Sequence, residues 1–145
     1  MAVFVNNIGR TAWLASALGN AGITSTTIFL DLYVDDLFVP GLADTIATYA
    51  AIGFVVGPYD GGVDVSSTWT VSSTGGVAKI ELDPVTFTID ADTAPSGGET
   101  IYGYYVFDAT SGAVLWSEPL AAPVFIDFVT GGSITVNPAL MLRNQ

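Results

Sequence analysis

The sequence contains no cysteine and no histidine. These two absences remove zinc sites built from thiolate and imidazole, the thiolate nucleophile, the Ser-His-Asp triad and the usual axial ligands of haem. Basic residues are almost as scarce: 3 Lys plus Arg stand against 14 Asp plus Glu, for a net charge of −11 over 145 residues. A nucleic-acid surface typically neutralises roughly six to ten phosphates, so no nucleic-acid partner is expected. Long apolar runs are lacking too. The longest, Ile46 to Val56, is interrupted by Thr48, Tyr49 and Gly53. It falls far short of the roughly 20 residues that span a bilayer, and no membrane partner is expected. At the N-terminus Arg10 follows the apolar residues instead of preceding them, the reverse of a secretory leader, and no targeting segment is expected.

What the chain does contain is small, apolar and hydroxylated. Hydrophobic residues make up 50%, and 16 Gly, 16 Thr and 10 Ser gather between apolar runs spaced 8 to 15 residues apart. At this length a single domain is expected, and that punctuation predicts an all-β protein, a sandwich or a barrel; an antiparallel two-sheet sandwich is the expected fold. Residues 26–145 are assigned to the sandwich. Residues 1–25 are assigned to an N-terminal arm or first strand.

The strand signals are periodic. From Thr26 to Val34, Ile28, Leu30, Leu32 and Val34 alternate with Thr27, Phe29, Asp31 and Tyr33, as in a half-buried strand. Residues 63–72 and 77–82 alternate in the same way, and Pro84 forces a break. Val85, Phe87 and Ile89 then alternate with Thr86 and Thr88. Thr100 to Phe107 is the most aromatic strand, with Gly103 marking a bulge or a close approach. The turn Asp108 to Gly112 leads into a second strand, Ala113 to Glu118, making a hairpin. Residues 123–129 and Ser133 to Val136 complete the series, and Pro138 suits an edge or a bend. The best helical segment is Leu42 to Ala50, where Ala43, Ile46, Ala47 and Ala50 share one face and Thr45, Thr48 and Tyr49 weaken the pattern. Residues 11–18 fit one or two helical turns or an extended arm.

Chemistry has few carriers. Asp90-Ala91-Asp92 with Glu99 resembles an oxygen-rich calcium loop, but Ala94 and Pro95 occupy positions that an EF-hand reserves for oxygen ligands and glycine. Asp35-Asp36 and Asp60-Gly61-Gly62 are ordinary turn sequences. Glycosidase chemistry needs two carboxylates at a defined separation, and each of the three Glu stands alone. Gly75-Gly76 and Gly97-Gly98 lack the residues of a phosphate loop. No catalytic residue, cofactor or metal is therefore expected. The tyrosines at 102 to 105 suit either sugar stacking or a buried and an interface face.

Lys and Glu, the ordinary surface residues, total four. Much of the exterior must then be Thr, Ser, Gly and Ala, which are cheaper to bury than charges. Such a surface favours an assembled protein. The apolar segment Met1 to Ile8 is a candidate to dock on a neighbour or to form the first strand.

The segment Ile101-Tyr102-Gly103-Tyr104-Tyr105-Val106-Phe107-Asp108-Ala109, followed by Leu115-Trp116-Ser117-Glu118-Pro119, resembles small structural proteins of tailed bacteriophages. So does the final Gly131-Gly132-Ser133-Ile134-Thr135-Val136-Asn137-Pro138, and upstream Leu42-Ala43-Asp44 with Tyr49 and Ser67-Thr68-Trp69-Thr70 follow the same order. The likeness runs over residues 26–142 and is sharpest over 99–139; Pro119 stands where the family usually carries a basic residue. The resemblance implies a jelly-roll-like sandwich, made in the host bacterial cytoplasm and carried on the virion as a capsid cement or decoration protein. Its implied partner is the major capsid protein, and the charge-poor surface with the symmetry of capsid lattices favours a homotrimer. Val3, Phe4, Val5, Ile8, Trp13, Tyr102, Tyr104, Tyr105 and Trp116 are the expected subunit or capsid contacts. An acidic chain is repelled by packaged DNA, which favours the outer capsid surface. The alternative is a tail or fibre module that binds host-surface carbohydrate.

Overall fold

The computed structural model describes residues 27–36, 44–54, 61–66, 68–74, 77–92 and 97–143. The expected arm over 1–25, including Val3, Phe4, Val5, Ile8 and Trp13, lies outside the described residues. Within them the chain is mostly strand, and every strand pairing is antiparallel. The elements run β1 (Ile28–Tyr33), α1 (Ile46–Ala50), β2 (Val63–Asp64), β3 (Trp69–Thr74), β4 (Val77–Leu82) and β5 (Val85–Ile89). They continue with β6 (Gly98–Asp108), β7 (Ala113–Asp127), β8 (Gly132–Val136) and β9 (Ala139–Arg143). The pairing order is β2-β1-β6-β7 in one sheet, β3-β4-β9 in a second and β5-β8 in a third.

The second and third sheets meet at two prolines. β4 passes into β5 through Asp83-Pro84, and β8 passes into β9 through Asn137-Pro138. Pairing stops there because proline has no ladder donor. The Leu82 amide nevertheless donates to the Pro138 carbonyl at 3.0 Å, which holds the two ribbons in line.

One hydrophobic cluster takes side chains from all three sheets. Leu30, Leu32 and Val106 come from the four-stranded sheet, Ile80 and Leu140 from the second, and Phe87 and Ile134 from the third. β5 and β8 bury alternate residues as their period-two pattern requires: Val85, Phe87, Ile89, Ile134 and Val136 point in, and Thr86, Thr88 and Thr135 point out.

The structure corrects the sequence reading in several places. β1 is buried on both faces, because α1 and Ile52 cover the side that carries Phe29 and Tyr33. α1 buries Tyr49, with Ile46 packed beside it, while Ala47 and Ala50 face solvent. The ring counted against the helix is the one that anchors it. Residues 63–72 do not form one strand. The Asp64 carboxylate accepts from the Ser66 amide at 2.9 Å and from its hydroxyl at 2.6 Å, and the chain bends there. The same bonds, the hydroxyl first, hold the Asp64 carboxyl below its ordinary range. Residues 113–118 and 123–129 are not successive strands. Both stretches pair with β6, as one long β7. β9, which follows Pro138, had no signal assigned to it.

Candidate functional site

The hairpin of β6 and β7 positions everything that could act. Its turn is set by Asp108. That carboxylate accepts from the Thr110 amide at 2.9 Å and the Ser111 hydroxyl at 2.7 Å, and Gly112 turns the chain at a φ of 70°. Beyond the turn the register shifts twice, between Val106 and Phe107 and between Ile101 and Gly103. The first shift places one extra residue, Leu115, in β7. Leu115 and Trp116, neighbours in sequence, thus both reach the main cluster. The second is larger. Gly103 faces Pro119 while Ile101 faces Val124, so Leu120 to Pro123 stand opposite Tyr102 alone.

On β6, consecutive residues divide between two clusters. Tyr104 joins the main cluster, whereas Tyr105 and Phe107 join the second, beneath α1. In the second, Tyr49 stacks on Tyr105 with centroids 4.5 Å apart, Tyr105 on Phe107 at 5.4 Å, and Phe107 on Phe29 at 5.9 Å. Asp31 lies in the same layer at 4% exposure. Its carboxylate accepts from the Tyr105 hydroxyl at 2.9 Å and from the Leu32 amide at 2.7 Å. The Tyr49 hydroxyl donates to Ser117 Oγ at 2.7 Å. Burial pushes Tyr49 up to about 12 despite that bond. Burial first, and then the Asp31 charge, push Tyr105 higher still. These groups latch α1 to the sheet.

On the other face the Tyr104 hydroxyl donates to Glu118, and the Trp116 indole N–H and the Ala139 amide bear on the same hydroxyl. Burial, followed by the hydrogen bond to Glu118, raises Tyr104 far above the usual phenol value.

Three of the expected contact residues are therefore core residues. Tyr104, Tyr105 and Trp116 are 3%, 2% and 1% exposed. Their side chains have no surface to offer a neighbour or a sugar ring. Tyr102 alone of that group is half-buried, against the second cluster.

What the hairpin does present is the bulge of β7. Ala121, Ala122 and Pro123 are exposed, and Phe125 is 63% exposed with Val129 nearby at 41%. Phe125 extends past Gly98, where a Cβ would sit 2.4 Å from its ring. Between the bulge and β8 runs an open groove of about 350 Å³. Leu120, Val124, Ile134 and Val136 line it, and Tyr104 and Glu118 stand at the same groove. No charged residue occurs between Pro119 and Phe125. Sequence reasoning missed this surface because the run neither alternates nor shows helical spacing. The signal available was two prolines enclosing Leu-Ala-Ala.

Among the described residues no group of three acidic side chains is placed to hold a metal ion, and the loop with Asp90, Asp92 and Glu99 makes none. Among them too, no helix is long and apolar enough to cross a membrane. The chain matches no model of a known protein family, and no curated protein is similar to it.

Proposed function

We propose that this chain is a non-enzymatic structural protein of a tailed-bacteriophage virion. It seats on the outer surface of the major capsid lattice as a cement or decoration protein and adds bonds between capsid subunits. Its fold in this reading is a jelly-roll-like sandwich. The four-stranded sheet forms one layer, and the proline-kinked ribbons of β3, β4, β5, β8 and β9 form the other. A homotrimer at local three-fold positions suits the charge-poor surface and the symmetry of such lattices.

The observation that carries the reading is where the resembling motif sits. Residues 101–119 build the β6–β7 hairpin, and that hairpin displays the uncharged run Leu120 to Phe125. Exposed contiguous apolar surface marks a contact surface, because leaving it in water is costly. The buried acid–tyrosine contacts fit a scaffold role, since neither Asp31 nor Tyr105 faces solvent. The carbohydrate alternative drew on the tyrosines at 102 to 105 as stacking rings, and of these Tyr104 and Tyr105 are packed inside.

The test is re-decoration. Capsids stripped of the protein are mixed with the purified full-length chain, and occupancy and capsid melting temperature are measured. Saturable binding with a raised melting temperature is expected. Binding that neither saturates nor stabilises the capsid contradicts the reading.

A further inference from the structure

We propose that the groove between the β7 bulge and β8 receives a short apolar segment carrying an adjacent lysine or arginine, supplied by the protein to which this chain attaches. The inference rests on the attachment reading above only for where that partner is found.

The form of the groove fixes the mode of recognition. Among the described residues β7 is the edge strand of its sheet, the usual place for a partner to add a strand. Here Pro119 and Pro123 stand on that edge, and neither has an N–H to donate. The bulge between them also breaks the regular spacing that an added strand needs. Strand addition across Pro119 to Pro123 is therefore disfavoured, and contact at the groove must come from side chains. The floor that receives them is apolar: Leu120, Val124, Ile134 and Val136. A volume of about 350 Å³ suits one or two aliphatic side chains, at the small end of ligand sites.

Charge selects the partner. Glu118 is the charged residue on this groove, and the Tyr104 hydroxyl orients its carboxylate. That carboxylate fits a cation beside the apolar contact. The net charge of −11 draws basic partners.

The probe is a fluorescein-labelled peptide, Ser-Lys-Leu-Val-Ile-Ser, titrated with the full-length protein and followed by anisotropy. Two control peptides replace Lys by Glu, or the three apolar residues by Ser. Saturable binding of the first peptide is expected, roughly fivefold weaker with Glu in place of Lys, and lost with Ser. Ala122→Arg, an exposed substitution on the rim, should weaken binding at least about tenfold. Ala109→Arg, exposed in the hairpin turn, should leave it unchanged. Circular dichroism checks that both variants fold. No saturable binding, equal binding of the Lys and Glu peptides, or equal loss in both variants would overturn the proposal. Peptide binding by a protein that fails to decorate capsids would remove the capsid reading and leave this one. Full decoration without peptide binding would do the reverse.

Discussion

The side chain of Tyr33 lies against the backbone of its cross-strand partner Gly103, so closely that a Cβ there would sit 2.2 Å from Tyr33 Cζ. The strands β1 and β6 keep this register because position 103 has no side chain. Tyr33 cannot swing away freely, since it is buried beside Tyr49 with ring centroids 6.1 Å apart. Gly103→Ala should therefore destabilise the fold by about 2 to 3 kcal/mol, the upper range for overpacking. Denaturant unfolding measures it, and an unchanged midpoint would contradict the packing.

The bond between Tyr105 and Asp31 gives a second prediction. Tyr105→Phe keeps the ring stack but removes a donor from a buried carboxylate. The cost of an under-satisfied buried group is about 1 to 3 kcal/mol. Tyr49→Phe, which removes only a neutral bond to Ser117, should cost less, about 1 kcal/mol. The order of the two variants in thermal unfolding is the check.

Alkaline pH should unfold the protein. Burial pushes Tyr33 and Tyr49 up to about 12, from an ordinary value of 10.0. Tyr104 and Tyr105 are raised further, again by burial first. All four stay neutral in the folded state where the unfolded chain would ionise. Their contribution is complete below pH 10 and declines as pH rises from 10 through about 12. The melting temperature should fall across that window, and phenolate absorbance from these residues should appear together with unfolding. Independent titration of all the tyrosines near 10 in a folded protein would contradict it.

Core and surface roles separate at Trp116 and Phe125. Trp116 fills the main cluster, so Trp116→Ala should cost about 3 to 5 kcal/mol. Phe125 is exposed, so Phe125→Ser should change stability by no more than about 0.5 kcal/mol while reducing capsid occupancy. Stability and re-decoration assays on the same two variants test this division.

The residues show why part of the molecule was legible. Val85, Phe87 and Ile89 alternate with threonines because one face of β5 meets the core and the other meets water. That asymmetry writes itself into the sequence. β1 does not obey it, since Asp31 reads as a solvent residue until Tyr105, Gly53 and Gly62 are seen to lie against it. The tyrosine strand reads as one buried and one interface face, because consecutive strand residues point to opposite sides and aromatics are enriched at interfaces. Here both sides are covered, so Tyr104 and Tyr105 are both core. Ala113 to Glu118 and residues 123–129 read as separate strands, yet β7 continues by lifting four residues away from β6 and rejoining it at Val124. Long-range pairing of that kind leaves no local signature. The apolar surface it creates was invisible for the same reason.

The most direct test of the virion assignment is location. If the proposal holds, purified virions that carry the chain, imaged by electron cryomicroscopy with the protein labelled, show it at repeating positions on the outer surface of the capsid lattice. Label confined to the tail or fibres, or absent from the particle, would contradict the assignment.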